Sequence, residues 1–175
     1  MKNLIILTLL LFTAYSSNNL NYCVETKLET TGISINDSEY TIHIDIKTTT
    51  DGQQNLIIKM DLKNDSHFVS PNDPGNFSGQ FYMDLGSYND INFDSAIIET
   101  PKSKEGFVPD NLGFSKGNWV TTDTTYRQPI YVISDEDFQV FGRVNFVIEP
   151  RCTLEQITFG IISKNGVLKV IQPKC

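Results

Sequence analysis

Histidine and tryptophan are scarce in this chain, with two His and one Trp among 175 residues. His43 and His67 are therefore the only imidazoles, too few for a histidine-built metal centre. No G-x-S-x-G, H-E-x-x-H or P-loop pattern occurs, which removes the usual signatures of serine hydrolases, zinc proteases and nucleotide binding. Ser66 and His67 are adjacent, but neighbours on a strand point to opposite faces and cannot act as nucleophile and base. Basic residues are also in deficit, 14 Lys and Arg against 21 Asp and Glu for a net charge of −7. Without a Lys/Arg cluster the chain is a poor partner for nucleic acid or anionic membranes. Beyond the first dozen residues there is no long apolar run and no sustained 3.6-residue period, so neither a membrane span nor an amphipathic helix is expected. Nothing in the sequence calls for a metal or a cofactor.

What is present begins with an address. Met1-Lys2-Asn3, the apolar Leu4–Phe12 and the small-residue stretch Ala14-Tyr15-Ser16 have the three zones of a secretory signal peptide, residues 1–17, cleaved near Ser16. Its apolar core is about half the ~20 residues a bilayer span requires. Tyr22 before Cys23 is too large for a lipoprotein cleavage site. The remainder, 18–175, is expected to form one exported domain in the periplasm or outside the cell. Its cysteines are Cys23, Cys152 and Cys175, enough for one intramolecular disulfide and a leftover thiol. Cys152 and Cys175 flank the last hairpin and are slightly favoured as the pair; a staple between Cys23 and Cys175 stays open.

Strands dominate the rest. Thr41, His43, Asp45 and Lys47 alternate with Ile42, Ile44 and Ile46, a period of two with one apolar face. The turn Asp51-Gly52 leads into a second run, Asn55–Leu62. Further strands are expected at Val24–Thr30, Gly79–Leu85, Trp119–Tyr126, Ile130–Ser134, Val140–Ile148, Gln156–Ile162 and Val167–Ile171. Asn165-Gly166 between the last two suits a type I′ turn, in which both central residues take positive φ. About nine short strands with regular turn signals predict an all-β, immunoglobulin-like antiparallel sandwich.

Two stretches interrupt this rhythm, Ser70–Gly79 and Thr100–Gly117, and both read as long loops. Loops on a rigid β scaffold are where binding residues concentrate. The candidates are His67, Ser70, Asn72 and Asp73 around the first loop, with Phe107, Phe114 and Trp119 in or beside the second. Asp90-Ile91-Asn92-Phe93-Asp94 imitates the start of a calcium loop, but its sixth and twelfth places hold Ser95 and Pro101 instead of Gly and Glu. It reads better as a strand with Ile91 and Phe93 inward. Asp135-Glu136-Asp137 is expected to fan into solvent. Asn36, Asn64 and Asn76 open glycosylation sequons that matter only in a eukaryotic secretory pathway.

Arg151-Cys152 is the most reactive-looking spot, since a neighbouring cation favours the thiolate. Here the late half resembles the N-terminal periplasmic domain of DsbD-type thiol:disulfide interchange reductases. The stretches concerned are Leu62-Lys63-Asn64-Asp65-Ser66-His67-Phe68-Val69-Ser70-Pro71 and Val140-Phe141-Gly142-Arg143-Val144-Asn145-Phe146, within residues 55–162. The resemblance implies an immunoglobulin-like sandwich that passes electrons from a membrane partner to periplasmic thiol proteins. The family carries two closely spaced redox cysteines after the second stretch, whereas here Cys152 stands alone there. A dithiol relay needs a resolving thiol, and only Cys175 could supply it. The expected function is a non-enzymatic binding module with a protein partner in the cell envelope. The alternative is a thiol–disulfide carrier using Cys152 with Cys175.

Overall fold

Alternation becomes burial along Tyr40–Thr48, where Tyr40, Ile42 and Ile44 face inward while His43 is exposed. The structure, a computed structural model, describes residues 32–173 except 76, 94–95 and 111–112, with the backbone alone for 107–110 and 113–115. In chain order the strands are β1 (Ile33–Asn36), β2 (Tyr40–Thr48), β3 (Gln54–Leu62), β4 (Phe68–Val69), β5 (Tyr82–Asp84), β6 (Ile91–Phe93) and β7 (Ile98–Thr100). They continue with β8 (Lys104–Asp110), β9 (Gly113–Val120), β10 (Thr124–Val132), β11 (Phe138–Ile148), β12 (Thr153–Lys164) and β13 (Val167–Ile171). No helix occurs among the described residues.

Three antiparallel sheets result. The first runs β1-β2-β3-β10-β6, with β7 also on β10; the second runs β13-β12-β11-β5; the third is β4-β9-β8. The first two face each other across one core, as an immunoglobulin-like sandwich requires. Tyr40 on β2 meets Phe146 on β11 edge-on at 5.2 Å between ring centroids, and Ile42, Ile58, Val144, Phe159 and Val170 fill the space between. Fully burying each such side chain contributes about 1.5–3 kcal/mol. At one end Phe68 carries the third sheet into this core, against Phe81, Tyr126 and Phe146.

The hairpin at Asn165-Gly166 forms as expected, with φ of 51° and 74° and Lys164 paired to Val167. Gly79 is required for a different reason. Its φ is +99°, and a Cβ there would lie 2.3 Å from Val147 Cγ2.

Several expectations need correction. Thr100–Gly117 is not a loop, since most of it forms the β8–β9 hairpin with Gly106 opposite Gly117. Gly, Lys and Pro hid these strands; Pro109 sits on β8, an edge strand of the third sheet, which is where strands accommodate proline. The expected strand Trp119–Tyr126 is two strands. Asp123 Oδ1 accepts the Leu62 amide at 2.9 Å and Thr124 Oγ1 donates to the Thr122 carbonyl at 2.9 Å, so the chain bends at 121–123 and passes from the third sheet to the first. Ile130–Ser134 is the end of the second of these, β10. Gly79–Leu85 shortens to β5, and β1, β4 and β7 were not expected. Val24–Thr30, the signal segment, Cys23 and Cys175 lie outside the described residues. Ile91 is buried and Phe93 packs on the core, as the strand reading of 90–94 requires.

Candidate functional site

β7 pairs with β10 so that Glu99 lies directly opposite Tyr126. Both side chains turn inward, leaving Glu99 only 4% exposed. The Tyr126 hydroxyl and Ser70 Oγ both donate to Glu99 Oε1 at 3.0 Å. Oε2 receives Asn72 Nδ2 at 3.2 Å, the Ser103 amide at 3.1 Å and Ser103 Oγ at 2.9 Å. The donors are all neutral, and they come from the 70–72 turn, from β10 and from the segment after β7. Burial first, and then the Glu99 carboxylate, push the Tyr126 phenol far above its ordinary range. Tyr126 is held as a hydrogen-bond donor.

Asp73 does similar work one layer out. Its Oδ1 accepts the Gly75 amide at 2.6 Å and its Oδ2 accepts the Asn118 amide, while Gln80 Nε2 donates to the carbonyls of Ser70 (2.9 Å) and Asp73 (3.0 Å). Ser70, Asn72 and Asp73, expected as ligand contacts, thus spend their polar atoms on the protein itself. His67 sits at an isolated bridge with Glu149, its Nδ1 3.1 Å from the Asp65 carbonyl. Ser66 is buried and donates to the Glu39 carbonyl at 2.6 Å, separate from the imidazole. Phe107 and Phe114 have paired backbones on β8 and β9, and their side chains are among those not described.

Among the aromatic candidates whose side chains are described, Trp119 is placed beside open space. His67 packs edge-on to it at 5.3 Å, and its Nε1 is buried with no hydrogen-bond partner among the described residues. Trp119 lines a groove of about 440 Å³ whose other walls include Lys102, Ser103, Lys104, Thr121 and Thr122. Ser103, one of the groove residues, is tied to the buried Glu99 carboxylate. Lys102, Lys104, Thr121 and Thr122 are exposed. Among the described residues neither lysine has an ion-pair partner, and Glu105, also at the groove, is neutralised by Lys116 at 2.8 Å. A larger groove of about 590 Å³, lined by Phe77, Tyr82, Met83, Leu85 and Ile97, shares no wall residue with it. Glu99, Lys102, Lys104 and the two threonines carried no signal in the sequence; Ile98-Glu99-Thr100 looks like any exposed charge until its pairing with Tyr126 is known.

Cys152 does not have the environment expected of an activated thiol. Arg151 turns away, bonding Asp37 Oδ1 at 2.9 Å and Glu155 Oε1 at 2.6 Å, with Tyr40 completing the clamp on Glu155 Oε2 at 2.9 Å. Cys152 Sγ instead donates to Glu149 Oε2 at 2.9 Å, and that hydrogen bond first, then desolvation and the carboxylate's charge, push the thiol up. A raised pKa means less thiolate at neutral pH. Glu149→Gln is therefore expected to accelerate iodoacetamide labelling of Cys152 near pH 8 severalfold; labelling at an unchanged rate would show that Glu149 does not govern this thiol. Asp135, Glu136 and Asp137 are exposed, as expected. Among the described residues no group of three His, Cys, Asp or Glu is placed to hold a metal ion, and no helix is long and apolar enough to cross a membrane.

No family model matches the chain, and no curated protein does. Among solved structures it is similar to the GAE domain of GGA2p from Saccharomyces cerevisiae. The identity is 14%, over 77% of this chain and 98% of that one, with a TM-score of 0.38. At that score the description of the fold rests on the strand pairing itself.

Proposed function

We propose that the protein is an exported, non-enzymatic binding module of the cell envelope that engages its partner at the Trp119 groove. The observation that carries this reading is the contrast between Glu99 and the groove lysines. Glu99 has its hydrogen bonds filled by five donor groups, whereas Lys102 and Lys104 at the groove have no ion-pair partner among the described residues. A rigid base with free groups on top lowers the ordering cost of binding. The two stretches that resemble the DsbD N-terminal domain meet in the core, where Phe68 and Phe146 lie 5.5 Å apart. They support a shared scaffold, with the redox relay given up in this chain.

Trp119 is the only tryptophan, so its fluorescence reports on the groove directly. Titration with envelope fractions, soluble protein and polysaccharide separately, is expected to shift or quench this emission saturably. Trp119→Phe removes a buried N–H that has no partner among the described residues, so stability should stay within about 1 kcal/mol of the parent while binding weakens. Cys152→Ser should bind as the parent does. Saturable binding that ignores Trp119→Phe, or that needs Cys152, would displace this reading in favour of another surface or the thiol carrier.

A further inference from the structure

We infer that the Trp119 groove binds an acidic oligosaccharide, a short chain of uronate sugars, with the carboxylates on Lys102 and Lys104. This rests on the reading of the protein as a binding module and names the ligand of that same groove.

Three observations converge on that chemistry. The first is charge. Overall the chain is acidic, at −7, yet the groove rim presents two ammonium groups without ion-pair partners among the described residues, and its own acid, Glu105, is held by Lys116. An unpaired cation pair on an acidic protein is complementary to an anion, and lysine serves as a compact point charge for it. The second is the indole. A pyranose ring has one face of C–H groups that packs flat on an aromatic surface, and an indole is the broadest such surface a protein offers. Trp119 lines the groove and is fixed in place by His67. The third is the hydroxyl groups. Thr121 and Thr122 are exposed at the same groove, and a hydroxyl both donates and accepts, as sugar hydroxyls require of their partners.

An acidic peptide would satisfy the lysines as well. Its carboxylates and backbone amides would meet the threonine hydroxyls too, but a glutamate side chain offers no ring face to the aromatic surface, and that is what favours the saccharide. The volume, about 440 Å³, is that of a ligand site and not of a flat contact.

The test is calorimetric titration of the intact exported domain with hexagalacturonate and hexamannuronate, with fully methyl-esterified hexagalacturonate as a neutral copy and hexaglutamate as an acidic peptide. Binding of at least one uronate oligomer is expected at micromolar to millimolar concentration. Esterification and Lys102→Ala/Lys104→Ala should each weaken it roughly tenfold, and raising the salt should weaken it further. Both lysines are exposed, so the double variant should melt with the parent, which separates lost binding from lost folding. Equal binding of the esterified and free oligomers would overturn the role of charge. Hexaglutamate binding as tightly as the uronates would overturn the saccharide. No response to any probe would overturn the ligand assignment, while a Trp119 response to an envelope fraction would leave the binding module standing.

Discussion

Glu99→Ala is expected to lower the folding free energy by about 3–5 kcal/mol, because the buried donors of Ser70, Asn72, Ser103 and Tyr126 lose their acceptor together. For a domain of this size that corresponds to a melting temperature lower by roughly 8–15 °C. Glu99→Gln keeps the shape and one acceptor oxygen but turns an amide NH2 toward other donors, so it should fall between the two, at about 1–3 kcal/mol. Tyr126→Phe removes a single donor and should cost about 1 kcal/mol. In the Glu99→Ala background the same change should cost less, since the phenol no longer has its acceptor. Urea unfolding of the parent and the four variants measures all of this. A Glu99→Ala protein within about 1 kcal/mol of the parent would mean that the carboxylate does not tie these segments together.

The second large effect lies one layer deeper. Phe81 is 1% exposed and stacks on Tyr126 at 4.3 Å, with Phe68 at 5.7 Å and Phe146 at 6.0 Å. Phe81→Ala opens a cavity where the first two sheets and the third meet, and should cost about 3–5 kcal/mol. Phe81→Leu retains much of the volume and should cost far less, roughly 1–1.5 kcal/mol. Because Phe81 supports the ring whose hydroxyl reaches Glu99, the alanine variant should also loosen the groove, seen as a red shift of Trp119 emission before global unfolding. A loss below about 1.5 kcal/mol would show that the neighbouring rings collapse into the space.

Much of the scaffold could be read from the residues. Ile42, Ile44 and Ile46 announce a strand because their period is that of a pleated chain, and Asn165-Gly166 announces its turn because few other pairs accept two positive φ values. The β8–β9 hairpin was hidden because its strand character comes from pairing. Gly106 and Gly117 have no β preference of their own, and only their position opposite each other makes them strand residues. The bend at 121–123 was hidden for the converse reason. Apart from Asp123, Trp119 to Tyr126 is β-prone, and the break is made by Asp123 reaching Leu62, a residue far away in sequence.

The site follows the same division. Trp119 could be named early because a single tryptophan beside a polar stretch is conspicuous. Ser70, Asn72 and Asp73 hydrogen-bond within the protein, and the sequence does not show this because a loop's polar residues look alike whether they face a ligand or each other. Glu99 and Arg151 show the limit more sharply. A carboxylate's burial, or a guanidinium's choice of Asp37 and Glu155 over the adjacent Cys152, is decided by which strands lie alongside. No local pattern encodes that.

The Glu99 carboxylate joins pieces that meet only when the chain has closed on itself: the 70–72 turn, β10 and the segment after β7. No hairpin can assemble that junction alone, so the groove above it does not exist in a partly folded chain. Occupancy and complete folding are then one thermodynamic event. A ligand at one hundred times its dissociation constant would add about 2.7 kcal/mol to the whole domain and not to one loop. The filled groove would act as a latch on the entire sandwich.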